Sequence, residues 1–228
     1  MTELSTYLPL RCQQLRIALN NRICLNNISF ELHSSGITAL IGPNGSGKTL
    51  LLKSCAGLIA PSQGKVLWQT TPLPPVITWV PQAPALFNRS VLKNIYLPLK
   101  HQGKYKQQSA LYSRCEEALA WAGIGQLKRQ KALTLSTGEQ QLLALARAWA
   151  LSPKILLLDE PSANLDPARQ KQMNDLISTL NETCKIIFST HSMAQARELA
   201  ADVLILEHGK LVAHCDADTF FNHSEYRQ

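Results

Sequence analysis

Residues 37–49 read ITALIGPNGSGKT, and this stretch decides the fold. Its first five residues are an apolar run rich in β-formers, and residues 50–58, LLLKSCAGL, have the pattern of a buried helix. A strand, a glycine-rich turn and a helix form the context in which G-x-x-x-x-G-K-[ST] indicates a phosphate-binding loop. The alternative is a plain glycine-rich turn. The agreement of all four fixed positions with both flanking elements favours the phosphate-binding loop.

The predicted loop offers several kinds of phosphate ligand. Its glycines let consecutive backbone N–H groups turn inward, and the helix that follows adds the positive end of its dipole. Lys48 would reach the β- and γ-phosphates of a nucleotide, and the Thr49 hydroxyl would bind Mg²⁺. The predicted nucleotide-binding residues of the loop are Gly42, Pro43, Asn44, Gly45, Ser46, Gly47, Lys48 and Thr49.

Length and composition are those of a globular protein. The 228 residues are 45% hydrophobic and 17% charged, which is enough for one large domain or two small ones. The formal net charge is +7, and the basic residues are spread in short clusters, which favours a solvated surface over a nucleic-acid interface. A basic surface would also suit an anionic membrane leaflet. No stretch approaches the roughly 18 apolar residues of a membrane-spanning helix.

The cysteines and the amino-terminal residues predict a cytosolic location. Six cysteines lie far apart without a C-x-x-C pair, so we expect neither disulfides nor a zinc site, and a reducing compartment. The first ten residues lack a basic start followed by an apolar core, so we expect no signal peptide.

The remaining chain alternates strand and helix patterns around a helical segment. Apolar positions recur at helical spacing from Ser109 to Trp121, and residues 84–150 read as a mostly helical insert. Three prolines predict a loop at residues 71–75. Beyond the insert, we predict strands at 155–158, 185–189 and 203–206 and helices at about 167–181 and 192–200. This alternation of strands and helices predicts an α/β fold with a parallel sheet covered on both faces.

Two carboxylates end the apolar strand at residues 155–158. The carboxyl ends of buried parallel strands open onto the crevice where α/β sheets bind ligands. Asp159 is therefore placed to hold Mg²⁺, and Glu160 to polarise the attacking water as a general base. The alternative is that the pair only caps the following helix.

Three further polar features are candidates for the same crevice. Ser136 and Glu139 have the spacing of a helix-capping box, and the same helix start, with Gly138, is a candidate anion site. The two interpretations are compatible, because the capping box would order the N–H donors. Gln82 follows the strand pattern at 76–80, and His191 follows the one at 185–190.

In this order along the chain, the motifs resemble those of ABC transporter ATPase subunits. Gly42–Thr49 resembles the Walker A motif, Gln82 the Q-loop and residues 135–140 the signature. Residues 155–160 resemble the Walker B motif, residues 162–166 the D-loop, and His191 the H-loop. The resemblance runs from about residue 12 to residue 215.

The resemblance implies a fold and a domain organisation. The fold is α/β, a P-loop NTPase (RecA-like) core with a mostly parallel sheet, an N-terminal antiparallel β subdomain and a helical signature subdomain. Residues 1–228 would form a single ABC ATPase domain, with its core at about 12–83 and 152–215 and the helical insert at about 84–151.

The resemblance also implies ATP and Mg²⁺ as ligands and an ATPase activity coupled to transport. Glu160, His191 and Gln82 would be catalytic, and Thr49, Gln82 and Asp159 would surround the metal. Ser136 and Gly138 would contact the ATP held by the P-loop of a second subunit. Because one chain carries one copy of each motif, a complete site implies a head-to-tail homodimer.

The partners implied are multi-span permease subunits and an external substrate-binding protein, with no nucleic acid. The chain would then lie peripherally on the cytoplasmic face of the inner membrane. Residues 85–91, 143–151 and 159–167 look similar to ATPases of bacterial oxyanion importers, the tungstate type especially. Importers of phosphate or polar amino acids, an exporter and a lipoprotein-release ATPase remain alternatives.

Two alternatives lie outside transport. Soluble ABC ATPases generally carry two ATPase units or a long coiled-coil insertion, and neither fits in 228 residues. A small-molecule P-loop kinase is disfavoured by the signature and the H-loop.

Three positions depart from the family pattern. Thr137 stands where the signature usually has glycine, and Leu142 stands where a basic residue commonly follows the paired glutamines. Residues 19–21, Leu-Asn-Asn, contain no aromatic residue where the family usually stacks adenine. The residue that contacts adenine is therefore not predicted.

Overall fold

The structure is a computed structural model that describes residues 8–33, 36–69 and 76–222, so the loop predicted at residues 71–75 lies outside it. Nine strands and seven α-helices are described within these ranges. The strands are β1 (Leu10–Leu19), β2 (Arg22–Leu32), β3 (Ile37–Ile41), β4 (Gln63–Trp68), β5 (Ile77–Val80), β6 (Ile155–Asp159), β7 (Lys185–Thr190), β8 (Asp202–Glu207) and β9 (Lys210–Asp216). The helices are α1 (Lys48–Cys55), α2 (Val91–Gln102), α3 (Gln108–Trp121), α4 (Thr137–Ala150), α5 (Pro167–Leu180), α6 (Met193–Leu199) and α7 (Ala217–Asn222).

Contacts between residues divide the chain into two compact units. The first contains residues 1–79, 154–160 and 181–228, and the second contains residues 80–153 and 161–180. We call them the sheet unit and the helical unit.

A six-stranded sheet with the order β5-β6-β7-β3-β8-β9 forms the centre of the sheet unit. Strands β6, β7, β3 and β8 run parallel, and β9 runs antiparallel to β8. Every residue of β3, β6 and β7 is buried, as expected of strands covered on both faces. The predicted mostly parallel sheet is confirmed, and the antiparallel edge strand β9 is an addition to the prediction.

The amino-terminal strands form a separate antiparallel sheet with the order β2-β1-β4. The turn between β1 and β2 consists of Asn20 and Asn21, with φ of 48° and 61°. Asparagine tolerates this left-handed conformation, and two such residues in succession suit a tight hairpin with the native strand twist. This sheet confirms the antiparallel β subdomain that the family resemblance implies.

Three helices, α2, α3 and α4, pack on one another in the helical unit. Trp121 of α3 stacks on Trp149 of α4 with ring centroids 5.3 Å apart, and the Arg114 guanidinium lies 3.5 Å from the Trp149 centroid. Such stacked aromatic and cation–π contacts add to the apolar packing of the helices. Within the described ranges, no helix combines the length and apolarity needed to cross a bilayer.

A buried polar network lies where β3, β7 and β8 begin. Lys185 Nζ donates to Gly36 O at 2.6 Å and to Thr38 Oγ1 at 2.8 Å, and Thr38 Oγ1 donates to Asp202 Oδ1 at 2.6 Å. Burial lowers the pKa of Lys185 to about 8, against the opposing effect of Asp202. The other ends of these parallel strands carry the candidate site.

Candidate functional site

The predicted phosphate-binding loop follows β3 directly and ends in α1. Gly47 caps the helix with φ of 107°, a conformation that favours glycine, and α1 begins at Lys48 itself. At Gly42, an added Cβ would lie 2.1 Å from the carbonyl oxygen of Leu206 in β8, so a side chain cannot fit there. The structure thus contains the strand, the tight turn and the helix that the sequence motif predicts.

Lys48 has a buried side chain whose ammonium group contacts three acceptors of the sheet unit. Its Nζ donates to Gly42 O at 2.8 Å and to Pro43 O at 3.3 Å, and it lies 3.2 Å from Glu160 Oε1. The side chains of Lys48 and Glu160 are only 7% and 9% exposed. Charges so poorly solvated need a partner, so this ion pair ties the loop to the end of β6.

Ser46 adds an unused donor to the loop. Ser46 is only 2% exposed, and its Oγ has no hydrogen-bond partner among the residues that the structure describes. A buried hydroxyl without a partner is costly unless a ligand supplies one. An anion in the loop would provide that acceptor.

Asp159, at the end of β6, accepts hydrogen bonds at both carboxylate oxygens. Thr49 Oγ1 donates to Oδ2 at 2.8 Å, and Ser189 Oγ of β7 donates to Oδ1 at 2.7 Å. The hydroxyl of Thr49 and the carboxylate of Asp159 form a pair of adjacent oxygens, the atom type that Mg²⁺ prefers as a ligand.

Glu160 is held in an uncommon backbone conformation, with φ of 48°. Its N–H donates to Ser189 Oγ at 2.9 Å, and its Oε2 lies 2.9 Å from His191 Nδ1. The His191 side chain is 57% exposed, so a water or ligand can reach this pair. A carboxylate fixed between a buried ammonium and an accessible imidazole is suited to proton transfer.

Ser136 and Glu139 of the helical unit form the predicted capping box at the start of α4. The Glu139 N–H donates to Ser136 Oγ at 3.4 Å, and the Ser136 N–H donates to Glu139 Oε2 at 2.9 Å. These Ser136 donors, the backbone N–H first and the hydroxyl second, lower the pKa of Glu139. Ser136 and Thr137 are both exposed at the surface of the helical unit.

Gln82 also belongs to the helical unit, where its side chain is exposed and its carbonyl accepts a hydrogen bond from the Gln141 side-chain amide. Gly138 lies beside the D-loop region, since an added Cβ would be in ordinary contact with Leu165 and Arg169. In the D-loop, Asp166 Oδ1 accepts from the Arg169 N–H at 3.0 Å.

One departure from the family pattern, Leu142, has a local explanation. Leu142 is fully buried within the helical unit, which is incompatible with the basic residue common at this position. In the sheet unit, Leu19 beside the β1–β2 turn is 44% exposed, and Ile23 on β2 is 46% exposed. The exposed side chains of this hairpin thus include aliphatic residues.

Of the predicted site residues, the structure brings together those of the sheet unit: Gly42–Thr49, Asp159, Glu160 and His191. Gln82, Ser136 and Gly138 belong to the helical unit. Sequence reasoning missed Ser189, which contacts both Asp159 and Glu160. The available signal was a polar residue near the end of an otherwise apolar strand.

The comparisons with known proteins agree on one family. Residues 25–163 match the family model described as ABC transporter. The chain is 40% identical to the tungstate uptake system ATP-binding protein TupC of Peptoclostridium acidaminophilum, over 86% of this chain and 91% of that protein. It is 30% identical to the phosphate import ATP-binding protein PstB 1 of Yersinia pestis bv. Antiqua, over 96% and 88%.

A further relative is longer than this chain. The putative 2-aminoethylphosphonate import ATP-binding protein PhnT of Salmonella typhi is 34% identical, over 93% of this chain and 60% of its own length. Among solved structures, cbiO1 from Clostridium perfringens, part of the ABC transporter complex cbiONQ, superposes with a TM-score of 0.82. The identity is 25%, and the match covers 96% of this chain and 92% of cbiO1.

Proposed function

This chain belongs to the ABC transporter family of ATPases, and from that premise we propose that it hydrolyses ATP to drive import of a small oxyanion, of which tungstate is the first candidate. The observation that carries the catalytic part is the Lys48–Glu160–His191 arrangement beside the phosphate-binding loop.

Lys48 and Glu160 would change partners during the reaction. A triphosphate in the loop would offer Lys48 a more highly charged anion than Glu160 and would accept a hydrogen bond from Ser46. Glu160, released from Lys48, would accept a proton from the attacking water, and His191 would hold the carboxylate in place through Oε2. Gln82 would help to orient the water and the metal.

Mg²⁺ fits the oxygen ligands of the sheet unit. Thr49 and Asp159 would hold the ion together with phosphate oxygens of the nucleotide, which matches the preference of Mg²⁺ for few protein ligands. When bound, it would neutralise charge on the β- and γ-phosphates.

The complete site would require two subunits. We propose that residues 1–228 form a single ABC ATPase domain, with its core at about 12–83 and 152–215 and the helical insert at about 84–151. In a head-to-tail homodimer, Ser136 and Gly138 of one subunit would face ATP bound at Gly42–Thr49 of the other. The interface would be isologous, so the dimer would carry two equivalent sites.

The relatives support an oxyanion as the transported substrate. The matched proteins are named for tungstate, 2-aminoethylphosphonate and phosphate, which are all oxyanions. Phosphate is therefore the second candidate. An importer also implies multi-span permease subunits and an external binding protein, and places this chain peripherally on the cytoplasmic face of the inner membrane.

Uptake by a deletion strain of the source organism tests the function. We expect loss of the gene to abolish high-affinity tungstate uptake, measured as cell-associated tungsten, and to leave phosphate uptake intact. The wild-type gene should restore uptake, and a Glu160→Gln gene should not. Tungstate uptake that is unchanged in the deletion strain would refute the tungstate assignment, and a selective loss of phosphate uptake would favour the second candidate.

Replacing Ser136 by alanine tests its two roles at once. Loss of the cap should cost about 1 kcal/mol of unfolding free energy. Because the folded-state pKa of Glu139 is lowered, the capping box contributes stability above the unfolded pKa, and this contribution is lost as the pH falls through the folded pKa. The cost of Ser136→Ala, measured by urea unfolding, should therefore be larger at pH 7 than under acidic conditions.

Turnover separates capping from catalysis. If Ser136 meets the nucleotide of the partner, Ser136→Ala should lower the ATPase rate much more than the affinity for ATP. Ser90→Ala is the matched control, because Ser90 Oγ caps α2 in the same unit by accepting from the Lys93 N–H at 3.3 Å. An equal loss of turnover in both variants would leave Ser136 with the capping role alone.

A further inference from the structure

Ser189 is a fully buried residue of β7 that touches both carboxylate residues of the candidate site. It lies directly beside Asp159 in the parallel pairing of β6 with β7. Its Oγ donates to Asp159 Oδ1 at 2.7 Å and accepts from the Glu160 N–H at 2.9 Å. One hydroxyl thus links the side chain of Asp159 to the backbone of Glu160.

The direction of these hydrogen bonds is fixed by chemistry. A serine hydroxyl has one hydrogen to donate, and the backbone N–H of Glu160 can only donate. The hydroxyl hydrogen of Ser189 must therefore point at the carboxylate, where a charge-assisted bond is stronger than one between neutral groups.

The two ends of the Asp159 carboxylate are held by different elements. Oδ1 is held by Ser189 of β7, and Oδ2 accepts from Thr49 of α1. Thr49 is also the hydroxyl that would bind the metal, through a lone pair of its oxygen, so it would be shared between the ion and Asp159. Ser189 holds the other carboxylate oxygen and would not itself touch the ion.

We propose that Ser189 is a positioning residue that orients Asp159 toward the Mg²⁺ of bound Mg-nucleotide. This role rests on the proposed function, since it requires a nucleotide and a metal at this loop. Partners that hold the ligands of a metal commonly change its affinity by 10–100-fold when they are mutated. Within the part of the chain that the structure describes, the Ser189 hydroxyl bonds to Asp159 and Glu160 and to none of residues 42–49, so nucleotide binding without metal should not depend on it.

The test measures Mg²⁺ affinity and does not use turnover. A fluorescent ADP analogue is titrated into the whole chain in EDTA, and Mg²⁺ is then titrated at a fixed nucleotide concentration. We expect Ser189→Ala to weaken Mg²⁺ binding by about 10–100-fold and to change nucleotide affinity in EDTA by less than about 3-fold. Ser189→Thr, which keeps the hydroxyl, should recover most of the Mg²⁺ affinity.

Thr190→Val is the matched control on the same strand. Thr190 is buried, and its Oγ1 accepts from the Ser192 N–H at 3.0 Å without a described bond to Asp159 or Glu160. This variant should lose stability and keep wild-type Mg²⁺ affinity. Because Ser189→Thr adds a methyl group to a packed site, the comparison of Ser189→Ala with Thr190→Val decides the result if the threonine variant misfolds.

The outcomes separate this inference from the function beneath it. A Ser189→Ala protein that binds nucleotide, is less stable and has unchanged Mg²⁺ affinity would overturn the positioning role and leave the proposed function standing. Equal losses of Mg²⁺ affinity in Ser189→Ala and Thr190→Val would overturn it as well. Wild-type protein that binds no nucleotide would overturn the proposed function, and with it the role of Ser189.

Discussion

Lys48→Ala should lower ATP turnover by about 10²–10³-fold and weaken nucleotide binding, because it removes the one preorganised positive charge of the phosphate-binding loop. Lys48 is buried, and Gly42 and Pro43 hold its ammonium group through their carbonyl oxygens. The measurements are phosphate release at saturating ATP and the affinity for a fluorescent ATP analogue. Near-normal turnover in this variant would show that the loop does not bind the reacting phosphates.

The same substitution also removes the ammonium partner of Glu160 and leaves His191 as its remaining side-chain contact. Loss of the ammonium beside a carboxylate that is 9% exposed is expected to cost stability on the order of 3 kcal/mol. The double variant Lys48→Ala/Glu160→Gln is the control, because a neutral amide no longer needs the ammonium. We expect it to recover most of the melting temperature without recovering the affinity for the fluorescent ATP analogue, which Glu160→Gln alone should leave intact. Nucleotide affinity that returned with stability would mean that Lys48 acts through folding alone.

Glu160→Gln should reduce hydrolysis by roughly 10²–10⁴-fold and trap an ATP-bound dimer. Glutamine keeps the shape of the side chain but cannot accept the proton from water. Lys48, Thr49 and Asp159 are unchanged, so ATP and Mg²⁺ should still bind. If ATP joins two subunits, the closed dimer should then accumulate by mass action. Light scattering with Mg-ATP should show a shift from 25.3 kDa toward twice that mass.

Two further variants define what holds the trapped dimer together. Adding Ser136→Ala to Glu160→Gln should weaken the ATP-dependent shift, because Ser136 would contribute the contact from the opposite subunit. Glu182→Gln, at an exposed position just before β7 and near the end of β6 opposite to Glu160, should keep wild-type hydrolysis and show no trapping. A dimer that forms equally without ATP and without Ser136 would disprove the composite site, even in an active ATPase.

Local patterns were sufficient to predict which candidate site residues of the sheet unit lie together. The P-loop is contiguous, and Asp159, Glu160 and His191 each follow an apolar strand whose end is visible in the sequence. Parallel strands place their carboxyl ends along one edge of the sheet. The alternation of strand and helix patterns therefore predicted that these residues lie close together. The described contacts among Lys48, Glu160 and His191 agree with that reasoning.

Features that depend on pairing between distant segments were not predictable. Ser189 looks like an ordinary residue of a β pattern until register places it beside Asp159. The antiparallel strand β9 alternates exposed and half-buried residues at the edge of the sheet, so no apolar run marks it. The bounds of helix α2 were not predictable for a different, local reason. The helix contains Pro98, and a proline normally argues against a helix interior.

The position of β3 has a consequence for synthesis of the protein. Ile37 of β3 pairs with Ile186 of β7, and the other neighbour, β8, is translated later still. At about 5–20 residues per second, β3 would wait roughly 7–30 seconds for its first partner strand. During that time an apolar strand with two open edges is a target for chaperones and for aggregation. A ribosome halted before β7 carries the whole P-loop sequence, but not the strands that shape it into a phosphate site.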